Sequence, residues 1–100
     1  MTDQDSVQVA DAPERSRFEI TVDGALAGFA VYRLRPGRIT FVHTEIDDAF
    51  EGHGLGHKLA QGALDDIRAR GLHLVPKCPF IAKFVREHDE YGDLVADTAS

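Results

Sequence analysis

The chain has 100 residues, 43% of them hydrophobic, with a formal net charge of −6 and one cysteine. That length holds one domain, with room for one sheet and one or two helices. The acidic balance argues against a nucleic-acid binder, a single cysteine excludes an internal disulfide, and the lack of a leader or long apolar run reads as a cytoplasmic protein with no membrane segment.

Residues 1–15 are polar, acidic and rich in small side chains, without a period of two or 3.6, and read as a disordered tail. Phe18, Ile20 and Val22 alternate with Arg17, Glu19 and Thr21, the pattern of a half-buried strand. Asp23-Gly24 is a hairpin turn. Leu26 to Leu34 is a second strand, nearly continuous in apolar residues. Arg35-Pro36-Gly37 turns the chain again. Arg38 to Ile46 is a third strand, on which strict alternation puts Ile39, Phe41, His43 and Glu45 on one face.

Asp47 to Gly54 is a loop. Leu55, Leu59, Ala63, Leu64 and Ile67 then fall at helical spacing, and Gly71 is a good stop. Leu72 to Val75 is a short strand, returning parallel to the third by a right-handed crossover. Pro79 suits the first position of a second helix, with Phe80, Ile81, Phe84 and Val85 as its apolar stripe. The domain spans residues 16–95, and residues 96–100 form a second disordered tail. The expected fold is α+β, in the order β-β-β-α-β-α. Its sheet is mixed and mostly antiparallel, with a helix on each face.

Gly52, Gly54 and Gly56 stand at alternate positions just before the first helix. The first N–H groups of a helix lack intrahelical partners, and its dipole favours negative charge. Glycines permit unusual φ angles and a close approach, so the loop is a candidate phosphate cradle. A glycine-rich turn without a ligand fits the same residues. The dinucleotide-binding and P-loop patterns are not matched: the third glycine comes one residue early, and no G-K-[ST] is present.

A strand, then Glu51-x-x-Gly54-x-Gly56, then an amphipathic helix, resembles the Q/R-x-x-G-x-G/A signature of the GNAT acetyltransferase superfamily. His43-Thr44-Glu45, Gly71-Leu72, Val75-Pro76, Cys78-Pro79-Phe80 and His88-x-x-Tyr91 extend the likeness to a small single-domain GNAT-like family with a C-P-F motif. The signature begins with Gln or Arg, where this chain has Glu51. The resemblance implies that acetyl-CoA is the cofactor and that its pyrophosphate lies on the amides of about Gly52 to His57. The cofactor-binding set is then Ile46, Gly52, His53, Gly54, Leu55, Gly56, His57 and Lys58.

Cys78 precedes Pro79 at a helix start, beside Lys77, and both features favour a thiolate. A buried small residue at a strand-to-helix junction fits the local sequence better. The resemblance implies an acyl-accepting role, or a place beside the thioester. His43 and Glu45 could form a base and its orienting carboxylate, and by resemblance they line the cleft where amine meets thioester. A partly buried histidine satisfied by a neighbour is the plain alternative. Tyr91 is a weaker candidate for a general acid. His53 and His57 are four residues apart, but without HExxH or paired cysteines no metal site is expected. The expected function is N-acetyl transfer to an unidentified amine, small molecule or protein lysine, by a monomer or weak dimer. The alternatives are a non-catalytic module that holds CoA or acyl-CoA, and a protein-interaction domain with no small ligand.

Overall fold

The computed structural model describes residues 6–52 and 54–95. Five strands form one sheet in sequence order: β1 (Val7–Ala12), β2 (Arg17–Val22), β3 (Ala25–Arg35), β4 (Arg38–Ile46) and β5 (His73–Pro76). The first four are antiparallel neighbours, and β5 joins β4 in parallel. Helix α1 (Leu55–Ala69) links β4 to β5, and α2 (Pro79–Glu87) follows β5. The fold is thus mixed α+β with a mostly antiparallel sheet, as expected from the sequence. Asp23 and Gly24 both adopt positive φ, 51° and 85°, which a two-residue hairpin turn needs.

Three expectations change. The stretch expected to be a disordered tail contains β1, which pairs with β2 over its whole length. Only Val7 and Val9 carry an apolar signal, too short a run to read. Its anchors are far away in sequence. Gly62 of α1 leaves room for Val9: a Cβ there would lie 2.8 Å from the Cβ of Val9. Asp11 accepts from the Tyr32 hydroxyl at 2.6 Å and from Arg70 at 2.7 Å. Residues 1–5 of the first expected tail, and the whole of the second, 96–100, lie outside the described residues.

Second, both helices cover the same face, not one each. His57 of α1 packs its ring 5.5 Å from that of Phe84 of α2. Just past α2, the Tyr91 hydroxyl donates to Asp65 of α1 at 2.7 Å. The physical reason is the direction of travel. Val95 bridges Leu74 in parallel, so the chain steps past β5 the same way it stepped from β4 to β5. Two right-handed crossovers in one direction put their helices on one side.

Third, the alternation along β4 breaks. Val31 pairs with His43, but the next residue, Tyr32, pairs with Phe41. Val42 is therefore an extra residue, a bulge, and every side chain beyond it changes face. Ile39 and Phe41 face the helices and are buried, whereas His43 and Glu45 point to the opposite, uncovered face. Thr44 and Ile46 move to the helix side.

The core lies between sheet and helices. Phe18, Ile20, Ile39, Phe41 and Leu74 from the sheet meet Leu59, Leu64 and Ile67 from α1 and Ile81 from α2. Each such side chain contributes roughly 1.5–3 kcal/mol by leaving water.

Candidate functional site

Strands β4 and β5 pair only from Arg38–His73 to Phe41–Pro76. The last link between them is the Cys78 N–H, which donates to the Phe41 carbonyl at 2.8 Å. Beyond it the strands part. The upper part of β4, Val42 to Ile46, has β3 on one side and no strand on the other among the described residues. A backbone edge is left open there.

The glycine loop stands above this fork. A short 3₁₀ turn, Asp48–Phe50, leads into it, capped by the Asp47 side chain, which accepts from the Ala49 N–H at 2.9 Å. Gly52 and Gly54 have φ of +87° and +69°, a region that L side chains rarely enter. Gly54 is the N-cap of α1 and has no side chain to satisfy the helix start. The first backbone bond of the helix runs from the Lys58 N–H to the Gly54 carbonyl. The N–H groups of Leu55, Gly56 and His57 precede it and have no partner among the described residues. No acidic side chain stands in that first turn. These amides suit an anion.

Gly56 also has a packing role that the sequence reading did not include. A Cβ there would come within 2.8 Å of the Phe80 ring. Its bareness lets α2 approach α1, and so brings Phe80 to the loop.

Between loop and fork runs an open groove of about 370 Å³, lined by Ile46, Phe50, Glu51, Gly52, Gly54, Leu55, Gly56, His57 and Phe80. The groove thus gathers most of the residues named from the sequence as cofactor-binding. Lys58 is exposed one residue beyond it, and His53 lies outside the described residues. Glu51 is part of the wall, so a carboxylate does border the anion-suited amides. Phe50 and Phe80 were not among the sequence candidates. Phe80 belongs to the apolar stripe expected for α2, yet it is 36% exposed. Its spacing of four from Phe84 gives the shared face; that this face overhangs the fork depends on how short β5 is.

Cys78 sits at the throat of the fork, at the N-cap of α2 as expected, and only 3% exposed. Its sulfur lies 3.2 Å from the Thr44 hydroxyl oxygen. His43 Nε2 and Glu45 Oε2 lie 2.7 Å apart, with the side chains 55% and 60% exposed. The two form a hydrogen-bonded dyad, but on the far side of the sheet from Cys78. So the bulge divides the three residues named as catalytic between two faces. Tyr91 is buried, and its hydroxyl is pushed up to about 12 by burial and by its bond to Asp65. It ties the segment after α2 to α1, away from the fork.

Residues 17–94 match the model of the family described as GCN5-related N-acetyl-transferase. The chain belongs to the GCN5-related N-acetyltransferase family. The match begins at the first residue of β2 and ends one short of the last described residue. Within the family, the chain is similar to Protein NATD1 of Xenopus tropicalis, 29% identical over 90 residues that cover 88% of this chain and 83% of the relative. It is 31% identical to Protein NATD1 of Gallus gallus over 84 residues, 82% of this chain and 76% of the relative. Its fold is similar to the solution structure of a GCN5-like putative N-acetyltransferase from Staphylococcus aureus, with a TM-score of 0.67, 21% identity and 92% of each chain covered. It is also similar to a ribosomal-protein-alanine N-acetyltransferase from Brucella melitensis biovar Abortus, with a TM-score of 0.55 and 21% identity over 84% of this chain and 63% of that one. Among the described residues, no helix is long and apolar enough to cross a membrane.

Proposed function

We propose that the chain transfers an acetyl group from acetyl-CoA to an amine. The observation that carries this reading is one junction. Unpartnered amides at the start of α1 open onto an apolar groove that leads to Phe80 and the free edge of β4. An acyl-CoA has the matching composition: a pyrophosphate joined to a long arm with an amide backbone of its own.

In this reading the amides of Leu55, Gly56 and His57 take the pyrophosphate, beside Gly52 and Gly54, with His53 as a further contact. Lys58 adds positive charge nearby. Ile46, Phe50 and Phe80 shelter the arm, and the thioester reaches the fork. There Cys78 and Thr44 stand on one side of the sheet, and His43 and Glu45 on the other.

The amine approaches from the uncovered face. His43, oriented by Glu45, removes the proton that the ammonium must lose and passes it to water. The amine nitrogen forms its bond to the thioester carbon. The carbon–sulfur bond breaks, and the CoA sulfur leaves with the electron pair and takes up a proton. A second route is favoured by the Thr44–Cys78 contact. Cys78 Sγ attacks first and holds the acetyl group, CoA leaves as the thiol, and the amine then takes the acetyl from Sγ. Glu51 in the groove wall favours a third, lesser reading, in which the chain holds an acyl-CoA without turning it over.

Incubation with acetyl-CoA and an amine, followed by mass spectrometry of protein and amine, separates the three. Acetylated amine with no acetyl on Cys78 supports direct attack, and acetyl on Cys78 supports the covalent route. Binding without either product leaves the holding module.

A further inference from the structure

A small pocket of about 100 Å³ opens on the uncovered sheet face, between the ends of β3 and β4. A second bulge makes it. Ile20 pairs with Gly28 and Thr21 with Leu26, so Ala27 is an extra residue in β3. Leu26, 43% exposed, lines the pocket together with Phe29. Glu45 and Asp47 complete its lining. Glu45 is the carboxylate of the dyad, 2.7 Å from His43. Asp47 Oδ1 accepts from the Ala49 N–H at 2.9 Å, and Oδ2 has no partner among the described residues. The ring of Phe29 lies 6.4 Å from that of His43 and carries Arg17 at 4.4 Å, so the wall is held from both sides.

We propose that this pocket is the acceptor subsite and that it selects a small primary ammonium on a short apolar stem. The proposal rests on acetyl transfer as read above. Leu26 and Phe29 take the stem. Asp47 and Glu45 take the positive charge, and the ammonium then lies beside His43, the group that accepts its proton. Asp47 is a specificity-determining residue in this account. A volume of about 100 Å³ admits only a few heavy atoms and excludes a bulky head. Two carboxylates repel an acceptor that carries its own carboxylate, so free amino acids and acidic peptides are disfavoured.

The test uses the full chain, isotopically labelled, titrated with n-butylammonium in the absence of acetyl-CoA, with butyrate as the control. We expect saturable changes in the amide signals of Gly28, Phe29 and Asp47, and none with butyrate. Asp47→Asn keeps an oxygen to cap Ala49 but removes the charge, and should weaken butylammonium about tenfold, the scale of one charge-assisted hydrogen bond. In acetyl transfer the same variant should raise the KM for butylamine by that factor, with kcat and the melting shift from acetyl-CoA unchanged. Changes that are scattered, do not saturate, or persist in the variant overturn the subsite. The two readings fail separately. Butylammonium bound here by a protein that acetyl-CoA does not stabilise sinks acetyl transfer but keeps the cation site. Acetyl transfer with amine signals elsewhere keeps the enzyme and sinks the subsite.

Discussion

The hydroxyl oxygen of Thr44 and the sulfur of Cys78 lie 3.2 Å apart, across the point where β4 and β5 separate. Thr44 reaches Cys78 only because Val42 is a bulge; in regular alternation through Val42, Thr44 would face away and His43 would face the core. Deleting Val42 should therefore close the bulge and leave Thr44 and Ile46 on the helix side, with His43 and Glu45 on the uncovered face. We expect the deletion variant to keep a cooperative melt and a native-like near-ultraviolet circular dichroism spectrum. Were Val42 a regular strand residue, its loss would invert the upper half of β4 and cost several side chains' burial at once. An unfolded or molten deletion variant would thus contradict the bulge.

Glu51 borders amides that suit an anion. Glu51→Gln should remove a like-charge repulsion of roughly 0.5–1 kcal/mol, the scale of an exposed ion pair. Acetyl-CoA binding should then tighten by a factor of about two to five. Calorimetric titration of both proteins checks this, and weaker binding by the variant would show that Glu51 does not oppose the pyrophosphate.

Gly56 and Phe80 are coupled through a 2.8 Å approach. Gly56→Ala forces the ring aside, and overpacking of this kind costs about 1–3 kcal/mol. Phe80→Ala removes the obstacle, so the double variant should recover most of the stability lost by Gly56→Ala. Additive losses in a denaturant melt would mean that the two do not touch.

Asp11 tests whether β1 belongs to the fold. It accepts from Tyr32 and from Arg70, and Asp11→Ala leaves a buried hydroxyl and a guanidinium without those partners. The expected loss is about 1–3 kcal/mol. An unchanged midpoint would return residues 6–15 to the status of a tail.

Tyr32 and Tyr91 are each raised to about 12, first by burial and then by the bond to Asp11 or Asp65. For such a group the unfolded chain loses its proton near 10, while the folded protein keeps it. Between about 10 and about 12 the folded state binds more protons, so stability falls as pH rises. Below 10 the contribution is fully present. The double variant Tyr32→Phe/Tyr91→Phe should start less stable, because two carboxylates lose a donor, and should show a shallower decline across that window. Equal slopes would contradict the assignment.

Much of this was legible in the chain. The alternation of Phe18 and Ile20, the Asp23-Gly24 turn and the helical spacing of Leu55 to Ile67 are local signals, and each gives its element directly. The glycine loop was legible because helix starts and positive φ have strong residue preferences. What was hidden is non-local. Val42 looks like any strand residue, and its extra place is visible only against β3. Strand β1 owes its stability to Gly62, Tyr32 and Arg70, which its own sequence does not announce. The groove role of Phe80 depends on where β5 stops. Hence the glycine loop was readable, while the division of His43 and Glu45 from Cys78 was not.

The dyad on the uncovered face and the groove on the other have separable readouts. Glu45→Gln should lower kcat by about a hundredfold or more, the usual contribution of a positioned acid–base pair. Its melting shift with acetyl-CoA should stay that of the unaltered protein. A kcat within a factor of two of the unaltered protein would remove the dyad from the reaction.

The central claim is that the start of α1 and the groove below it hold acetyl-CoA. Thermal melting with and without acetyl-CoA tests it most directly, with Gly54→Val as the partner experiment, since a β-branched residue is strained at a φ of +69°. At a hundred times its dissociation constant the ligand should stabilise the unaltered protein by about 2.7 kcal/mol, and the variant far less. A melt that acetyl-CoA leaves unmoved at millimolar concentration, or moves equally in both proteins, would contradict the account.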